Sequence, residues 1–321
     1  MARKTGRWEK AQRKIVLLLA LVFAVALIAA AMLAFPQFSL WLQRALGILQ
    51  GQGPTGPWQQ QPVAVHIIDV GQGDAALLCA DGEYALIDAG TPESADVLVE
   101  YLRRAGVNRL KYLFLTHPHA DHMGGMVAVL STLAVENMVL PDLSLAPLPA
   151  SRGFEELLAT LQAKEVATQQ AVLGASYPLG NGHVTVVHAG LPTENNYNLL
   201  SLGLLFEAGK LRVLNTGDGE KPNERAMLES GLSLEAGAFL AAHHGSSTSN
   251  LPEFLQAVRP GVVAVSCGAG NSYGHPHHSP MQDFQKLRAT VLQTDEAGHI
   301  LLWADETGRV CWATGAQQPT A

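Results

Sequence analysis

The longest apolar run in the chain, Ile15–Phe35, has no polar face and follows a basic cluster of Arg3, Lys4, Arg7, Lys10, Arg13 and Lys14. As a helix rising ~1.5 Å per residue it spans about 31 Å, enough to cross a hydrocarbon core. The pattern predicts an uncleaved membrane-spanning anchor within residues 1–36. A cleavable signal peptide is the alternative, because Ala29-Ala30-Ala31 offers small residues at a cleavage position. The run is nevertheless longer than the usual ~7–15-residue core of such peptides. Either way the basic flank stays in the cytoplasm and the body is exported. That means a single-pass inner-membrane protein with its body on the periplasmic or extracellular side, or a secreted one after signal cleavage.

Residues 37–62 read as a linker, with Gly51–Pro62 (GQGPTGPWQQQP) rich in Gly, Pro and Gln. From Val63 the pattern changes to short apolar runs separated by turn residues and amphipathic stretches. Val63–Asp69, Ala75–Cys79 and Tyr84–Asp88 predict consecutive strands. Pro92–Ala105 predicts a helix with Val97, Leu98, Tyr101 and Leu102 on one face. Tyr112–Leu115 predicts a strand that ends at Thr116. Helices are expected near Met123–Leu133, Gly153–Lys164 and Lys221–Ser230. Further strands are expected near His183–His188, Leu200–Phe206, Leu211–Asn215, Ala238–Ala242 and Val262–Ser266. The body, residues 63–315, is therefore α/β, with a short tail at 316–321.

The 321 residues are 48% hydrophobic and 15% charged, which excludes wholesale disorder. Cys79, Cys267 and Cys311 include no CxxC pair, so zinc-finger and thioredoxin-like chemistry are excluded; they read as small strand hydrophobes. The net charge of −7 is unevenly placed: residues 1–50 carry seven Lys/Arg against one Glu, so the remainder carries −13. An acidic body lacks the broad footprint of a general nucleic-acid binder. It leaves open a metal site that handles one phosphodiester locally.

The chemistry concentrates in Thr116-His117-Pro118-His119-Ala120-Asp121-His122, directly after a strand. An extended turn aims His117 and His119 at one cation, and Asp121 and His122 at a second position. Such nitrogen and carboxylate donors suit Zn²⁺, with Mn²⁺ or Fe as alternatives. Two further segments follow strands: Thr216-Gly217-Asp218 and His243-His244-Gly245-Ser246. A carboxylate at the first can bridge two metals, and a bridged pair activates water at neutral pH.

These residues resemble the metallo-β-lactamase superfamily. Within it the chain resembles the hydrolase-like domain of ComEC-type DNA-internalisation proteins, through HIIDVGQGD (66–74), ALIDAG (85–90), THPHADHMGG, NLLSLGL, NTGD, HHGSSTS and NSYGHP. The resemblance covers about residues 63–305. It implies an αββα metallo-β-lactamase-like sandwich, and two zinc ions, or manganese, at one edge. It further implies His117 and His119 on the first metal, Asp121 and His122 on the second, Asp218 bridging, and His244 completing the second site. His243 is then the proton donor to the leaving group, and Asp88 supports the metal loop. Which of His243 and His244 is the ligand stays open. Many members place another histidine on the first metal. Here Asn198, in Asn198-Leu-Leu-Ser201, or His188 stands in its place. His275, in YGHP, reads as a loop residue over the substrate. His66 reads as structural, and His183, His277, His278 and His299 as solvated.

The implied function is a membrane-tethered, metal-dependent hydrolase that cleaves an ester or phosphodiester by a metal-activated hydroxide. Its catalytic residues would be Asp121, Asp218 and His243, and its substrate DNA in competence-type uptake. Alternatives are an envelope phosphodiesterase or esterase of the same fold, and a non-catalytic binding module.

Overall fold

The computed structural model describes residues 61–315. The apolar run at 15–35, nearly all of the linker and the tail lie outside the described residues. Among the described residues no helix is long and apolar enough to cross a membrane.

Two sheets stack face to face. The first begins with β1 (Val63–Ile67), β2 (Ala76–Ala80) and β3 (Glu83–Ile87), then β4 (Arg109–Phe114), β5 (Ala134–Leu140) and β6 (Ala167–Gln170). Near the C-terminus β14 (Ile300–Ala304) and β15 (Val310–Thr314) return to pair beside β1, giving the order β15-β14-β1-β2-β3-β4-β5-β6. The second holds β7 (Ser176–Leu179), β8 (Gly182–Ala189), β9 (Leu202–Ala208), β10 (Leu211–Asn215), β11 (Ala238–Leu240), β12 (Val262–Val265) and β13 (Thr290–Gln293), in the order β13-β12-β11-β10-β9-β8-β7. Pairing is parallel across β3 to β6 and across β10 to β13, and antiparallel elsewhere.

The continuous apolar character of the central strands follows from burial on both faces. In β2, Ala76, Leu78 and Ala80 face the core between the sheets, whereas Leu77 and Cys79 face outward, and all five are buried. The inter-sheet core joins Val65, Ile67, Ile87 and Phe114 to Val186, Leu204, Phe206 and Val213. Outside the first sheet pack α1 (Ala95–Arg104), α2 (Ala120–Met123), α3 (Met126–Thr132) and α4 (Arg152–Ala163), through Leu98, Met123, Met126 and Phe154. Outside the second lie α5 (Lys221–Glu229), α6 (Pro252–Val258) and α7 (His278–Lys286), through Met227, Phe254 and Phe284. A short α8 (Thr294–Ala297) precedes β14. The layers are α, β, β, α.

Several sequence expectations shift. On α1, Leu98, Tyr101 and Leu102 are buried but Val97 is 40% exposed, because it lies at the rim of the stripe. The expected single helix over 123–133 is two, broken at Gly124-Gly125. There a Cβ on Gly124 would lie 2.3 Å from Pro92 N. His299 is not simply solvated: it accepts the Asp69 N–H at 2.9 Å and packs against Tyr101 with the rings tilted by 53°. Nor is His277, which accepts the Ser247 N–H at 2.9 Å.

His66 is structural, buried on β1 with Nδ1 2.8 Å from the Tyr101 hydroxyl. Burial, aided by the nearby His299, pulls its pKa down to about 3. Between that value and the ordinary ~6.5 the unfolded chain binds a proton that the folded chain does not, so this contribution to stability is lost as pH falls. His66→Phe is expected to lose less stability than the parent chain between pH ~6.5 and ~4, by about 3 kcal/mol at most. Denaturant midpoints measured across that range check it.

Candidate metal centre

The strands deliver their C-terminal ends to one edge of the sandwich, the usual place for a site in parallel β structure. After β4 the chain passes Leu115 and Thr116 into the histidine loop. Asp88, just past β3, fixes both ends of that loop. Its Oδ1 accepts the Thr116 N–H at 2.8 Å; its Oδ2 accepts the Thr116 hydroxyl at 2.6 Å and faces His122 Nδ1 at 2.8 Å. Asp88 is fully buried and sits at φ 57°. Pro118 and an extended His119 lead into α2, which carries Asp121 and His122.

The second sheet supplies the rest. Beyond β10, Gly217 adopts φ +49°, and a Cβ there would lie 2.7 Å from Thr116 Oγ. Only glycine therefore lets the Asp218 turn approach the histidine loop so closely. Beyond β11 a 3₁₀ turn over Ala242–Gly245 holds His243 and His244 both at left-handed φ (52° and 53°). The side chain of Asn250 secures this strained turn. It accepts the Ala242 N–H at 3.2 Å and donates to the carbonyls of Ala242 (3.0 Å) and Ser246 (3.1 Å). Asn250 is held in turn by Glu224 on α5, whose carboxylate accepts the N–H groups of Asn250 (2.6 Å) and Leu251 (2.8 Å).

Two donor groups result, sharing Asp218. His117, His119 and Asp218 form one, and Asp121, His122, Asp218 and His244 the other; within each, the donor atoms lie within 4.8 Å of one another. His117 Nε2 is 2.9 Å from His119 Nδ1 and 3.7 Å from Asp218 Oδ2. Asp218 Oδ1 is 3.2 Å from His122 Nε2 and 3.5 Å from His244 Nε2, and His244 Nε2 is 3.4 Å from Asp121. His122 Nε2, His244 Nε2 and Asp218 Oδ1 are buried, converge, and form no hydrogen bond among the described residues. Buried polar atoms seldom go unpartnered, and this donor set suits a divalent ion. The far ring nitrogens are oriented as ligands require: Nδ1 of His122 on Asp88, and Nδ1 of His244 on the Ser266 carbonyl at 2.9 Å and Asp74 at 3.4 Å.

Burial pulls the imidazoles of His117 and His119 below their ordinary value, with His122 adding to the effect. Burial acts the same way on His122 and His244 but is outweighed by carboxylates. Asp218 and Asp88 hold His122 well above the ordinary value; Asp218 and Asp74 do so for His244. Burial likewise works against ionised Asp121 and Asp218, yet His122 and His244 hold both well below the carboxylate range. Without an ion, protons on His122 and His244 balance the carboxylates. A divalent cation held there would have to displace them, so its binding would weaken as pH falls.

The groups open into a cavity of about 260 Å³, with Asn198, His243, His275, Gln72 and Tyr273 also on its wall. His243 lies outside both donor groups, with Nε2 3.6 Å from Asp218 and Nδ1 3.0 Å from the Thr248 hydroxyl. Of the two adjacent histidines, His244 joins the donors and His243 faces the cavity. Asn198 is buried beside the cavity; its Nδ2 donates to Glu220 at 3.2 Å and its Oδ1 has no partner. His188 does not reach this cavity: on β8 its Nε2 accepts from Asn223 at 2.9 Å, and burial lowers its pKa to about 4. Ser201 is buried, off the cavity wall, with Oγ unpartnered. Burial and the neighbouring histidines lower His275 to about 4, so a neutral imidazole faces the cavity.

Sequence reasoning assigned no role to Asp74, Glu220, Glu224 or Asn250. Asp74 lies inside the quoted HIIDVGQGD, and Asn250 directly follows HHGSSTS, so each stood next to a visible signal; Glu224 had none. Asn250→Ala is expected to weaken divalent-ion binding in the His244 group about 10–100-fold while sparing the His117–His119 group. A competition titration against a chelating dye checks this.

The family model of the metallo-beta-lactamase superfamily matches residues 68–269. ComE operon protein 3 of Bacillus subtilis (strain 168) is 29% identical over 74% of this chain, which covers 32% of that protein. Recombination protein 2 of Haemophilus influenzae (strain ATCC 51907 / DSM 11121 / KW20 / Rd) is 28% identical over 74% of this chain and 28% of its own length. Competence protein ComA of Neisseria gonorrhoeae is 28% identical over 75% of this chain and 32% of its own length. The chain thus spans about a third of the curated relatives it matches. With its two facing sheets, flanking helices and paired His/Asp groups at one edge, this chain belongs to the metallo-beta-lactamase superfamily.

Proposed function

We propose that this chain is a membrane-tethered metal-dependent hydrolase that cleaves phosphodiesters, its exported domain holding two divalent ions, zinc or manganese. The observation that carries this reading is the shared carboxylate of Asp218, set between two donor groups, with its own Oδ1 and the Nε2 atoms of His122 and His244 buried and unbonded among the described residues. His117 and His119 would hold the first ion, with the partnerless Asn198 Oδ1 as an added oxygen donor. Asp121, His122 and His244 would hold the second. When bound, such ions supply Lewis acidity and water activated at neutral pH.

The chain's own residues supply the remainder. Asp88, Asp74 and the Ser266 carbonyl keep the ligand imidazoles in one tautomer and orientation, which cuts the reorganisation needed during reaction. His243 stands on the cavity side of Asp218 and is placed to hand a proton from Nε2 to a leaving oxygen. His275, neutral and opposite His243, is placed to donate a hydrogen bond to a non-bridging oxygen. The similarity to a protein named for competence supports DNA as the first substrate to test. The apolar run at 15–35 behind a basic flank supports the tether and an exported body.

The test is turnover of bis(p-nitrophenyl) phosphate by the full chain loaded with Zn²⁺ or Mn²⁺. His243→Ala is expected to slow cleavage of a thymidine dinucleotide, whose alkoxide leaving group needs a proton, about 10²–10⁴-fold with ion content unchanged, and to slow bis(p-nitrophenyl) phosphate, whose leaving group does not, far less. Failure of the loaded parent chain to turn over any diester would overturn the reading.

A further inference from the structure

Tyr273 stands on the lip of the cavity and is 65% exposed, the most exposed large hydrophobic side chain among the described residues. Its ring lies nearly parallel to that of His275, at 18° and 5.6 Å between centroids. His275 meets His243 edge-on at 5.5 Å, and His243 reaches Asp218. The three rings thus form a path from solvent to the shared carboxylate.

The loop is built to keep the tyrosine where it is. Asn271 Oδ1 accepts the N–H groups of Tyr273 (3.2 Å) and His275 (3.0 Å), and its Nδ2 donates to the carbonyls of Gly268 (2.9 Å) and His275 (2.7 Å). His277 Nε2 contacts the Tyr273 carbonyl at 3.2 Å, while its Nδ1 anchors to Ser247, two residues beyond the 3₁₀ turn. A fixed aromatic face left in water gains nothing within the fold, and it suits a flat partner.

A second observation narrows the partner. Among the described residues the cavity wall has no Lys or Arg, and residues 51–321 carry a net −13. Beyond the metal centre itself the phosphates of a polynucleotide would meet no Lys or Arg there, so release of counterions along the backbone is not the main source of affinity. Stacking of a base can be, because every base offers a π face. A paired base would first have to leave its stack, at a cost of a few kcal/mol.

We propose that Tyr273, backed by His275, is a stacking subsite for an unpaired nucleobase that flanks the phosphodiester, which makes the substrate class single-stranded nucleic acid. The inference rests on the phosphodiesterase reading above.

The test uses the full chain loaded with Mn²⁺ and two labelled oligomers of equal length, one of thymidines and one of abasic sugars. Binding is read in parallel by anisotropy with Ca²⁺ in place of Mn²⁺. Tyr273→Ala is expected to lower kcat/KM and affinity for the thymidine oligomer about 5–150-fold, the equivalent of ~1–3 kcal/mol per stacked base, and to leave the abasic oligomer unchanged. Tyr273→Phe is expected to keep the parent values, and thymidine affinity to depend only weakly on salt. If the parent chain cleaves and binds both oligomers equally, or Tyr273→Ala weakens both alike, the subsite is wrong and the phosphodiesterase reading stands. If base-dependent binding through Tyr273 persists but no diester is cleaved, the subsite stands and the hydrolytic reading falls. If neither oligomer binds, the subsite is overturned.

Discussion

Asp218→Ala is expected to strip the chain of both divalent ions at once. One of its oxygens lies 3.2 Å from His122 and 3.5 Å from His244, and the other lies 3.7 Å from His117 and 3.6 Å from His243. Among the described residues no other side chain belongs to both donor groups that hold the cavity residues. Elemental analysis after loading and desalting should show ion content falling from two per chain to none. Diester turnover should fall at least about 10³-fold, or ~4 kcal/mol in barrier. His244→Ala is the contrast, since it removes a donor from one group only, so one ion should remain. An Asp218→Ala chain that kept either ion would show that the two groups do not depend on a common bridge.

Asp88→Ala should produce the largest loss of stability. The Asp88 carboxylate is wholly buried and meets three groups: the Thr116 amide, the Thr116 hydroxyl and His122 Nδ1. Deleting it leaves buried donors unpaired and removes a carboxylate that keeps His122 protonated, at a cost of about 3–5 kcal/mol. Thermal and denaturant unfolding check that figure. Asp88→Asn separates stability from metal affinity. Its carbonyl can still accept from the Thr116 amide, and the Thr116 hydroxyl can turn to accept from the new amide. His122 Nδ1 must then accept as well, which moves the ring proton to Nε2, the atom that faces the ion. Stability should therefore recover most of its loss, while affinity in the His122 group stays about 10–100-fold down.

The residues that make the centre were legible because each follows an apolar strand and each is chemically rare in a turn. Thr116–His122, Thr216–Asp218 and His243–Ser246 announce themselves by composition, and the structure brings them to one edge. Residues that act through others were not legible. Glu224 is an ordinary helix residue in sequence, and it matters only because α5 packs beside the turn that Asn250 closes. The choice between His243 and His244 depends on two consecutive left-handed residues, a backbone state that residue type does not encode.

The fold shows the same division. The buried central strands stood out, although β9 starts at Leu202 because Tyr197–Leu200 tightens into a 3₁₀ turn first. β6 (ATQQ) is exposed throughout and offers no apolar signal; its pairing with β5 alone makes it a strand. β5 itself mixes Glu136 and Asn137 into its alternation and is buried only toward its end. The C-terminal strands β14 and β15 return to pair beside β1, a long-range choice that local periodicity cannot express. His299 and His277 followed the usual expectation for loop histidines, whereas long-range hydrogen bonds hold both.

The proposed sharing of the Asp218 carboxylate by two ions is open to electron paramagnetic resonance of the Mn²⁺-titrated full chain. The chain is expected to take up two ions and, as the second binds, to replace the isolated-ion spectrum with an exchange-coupled one. Saturation at a single ion, or two ions that keep isolated spectra throughout, would contradict it.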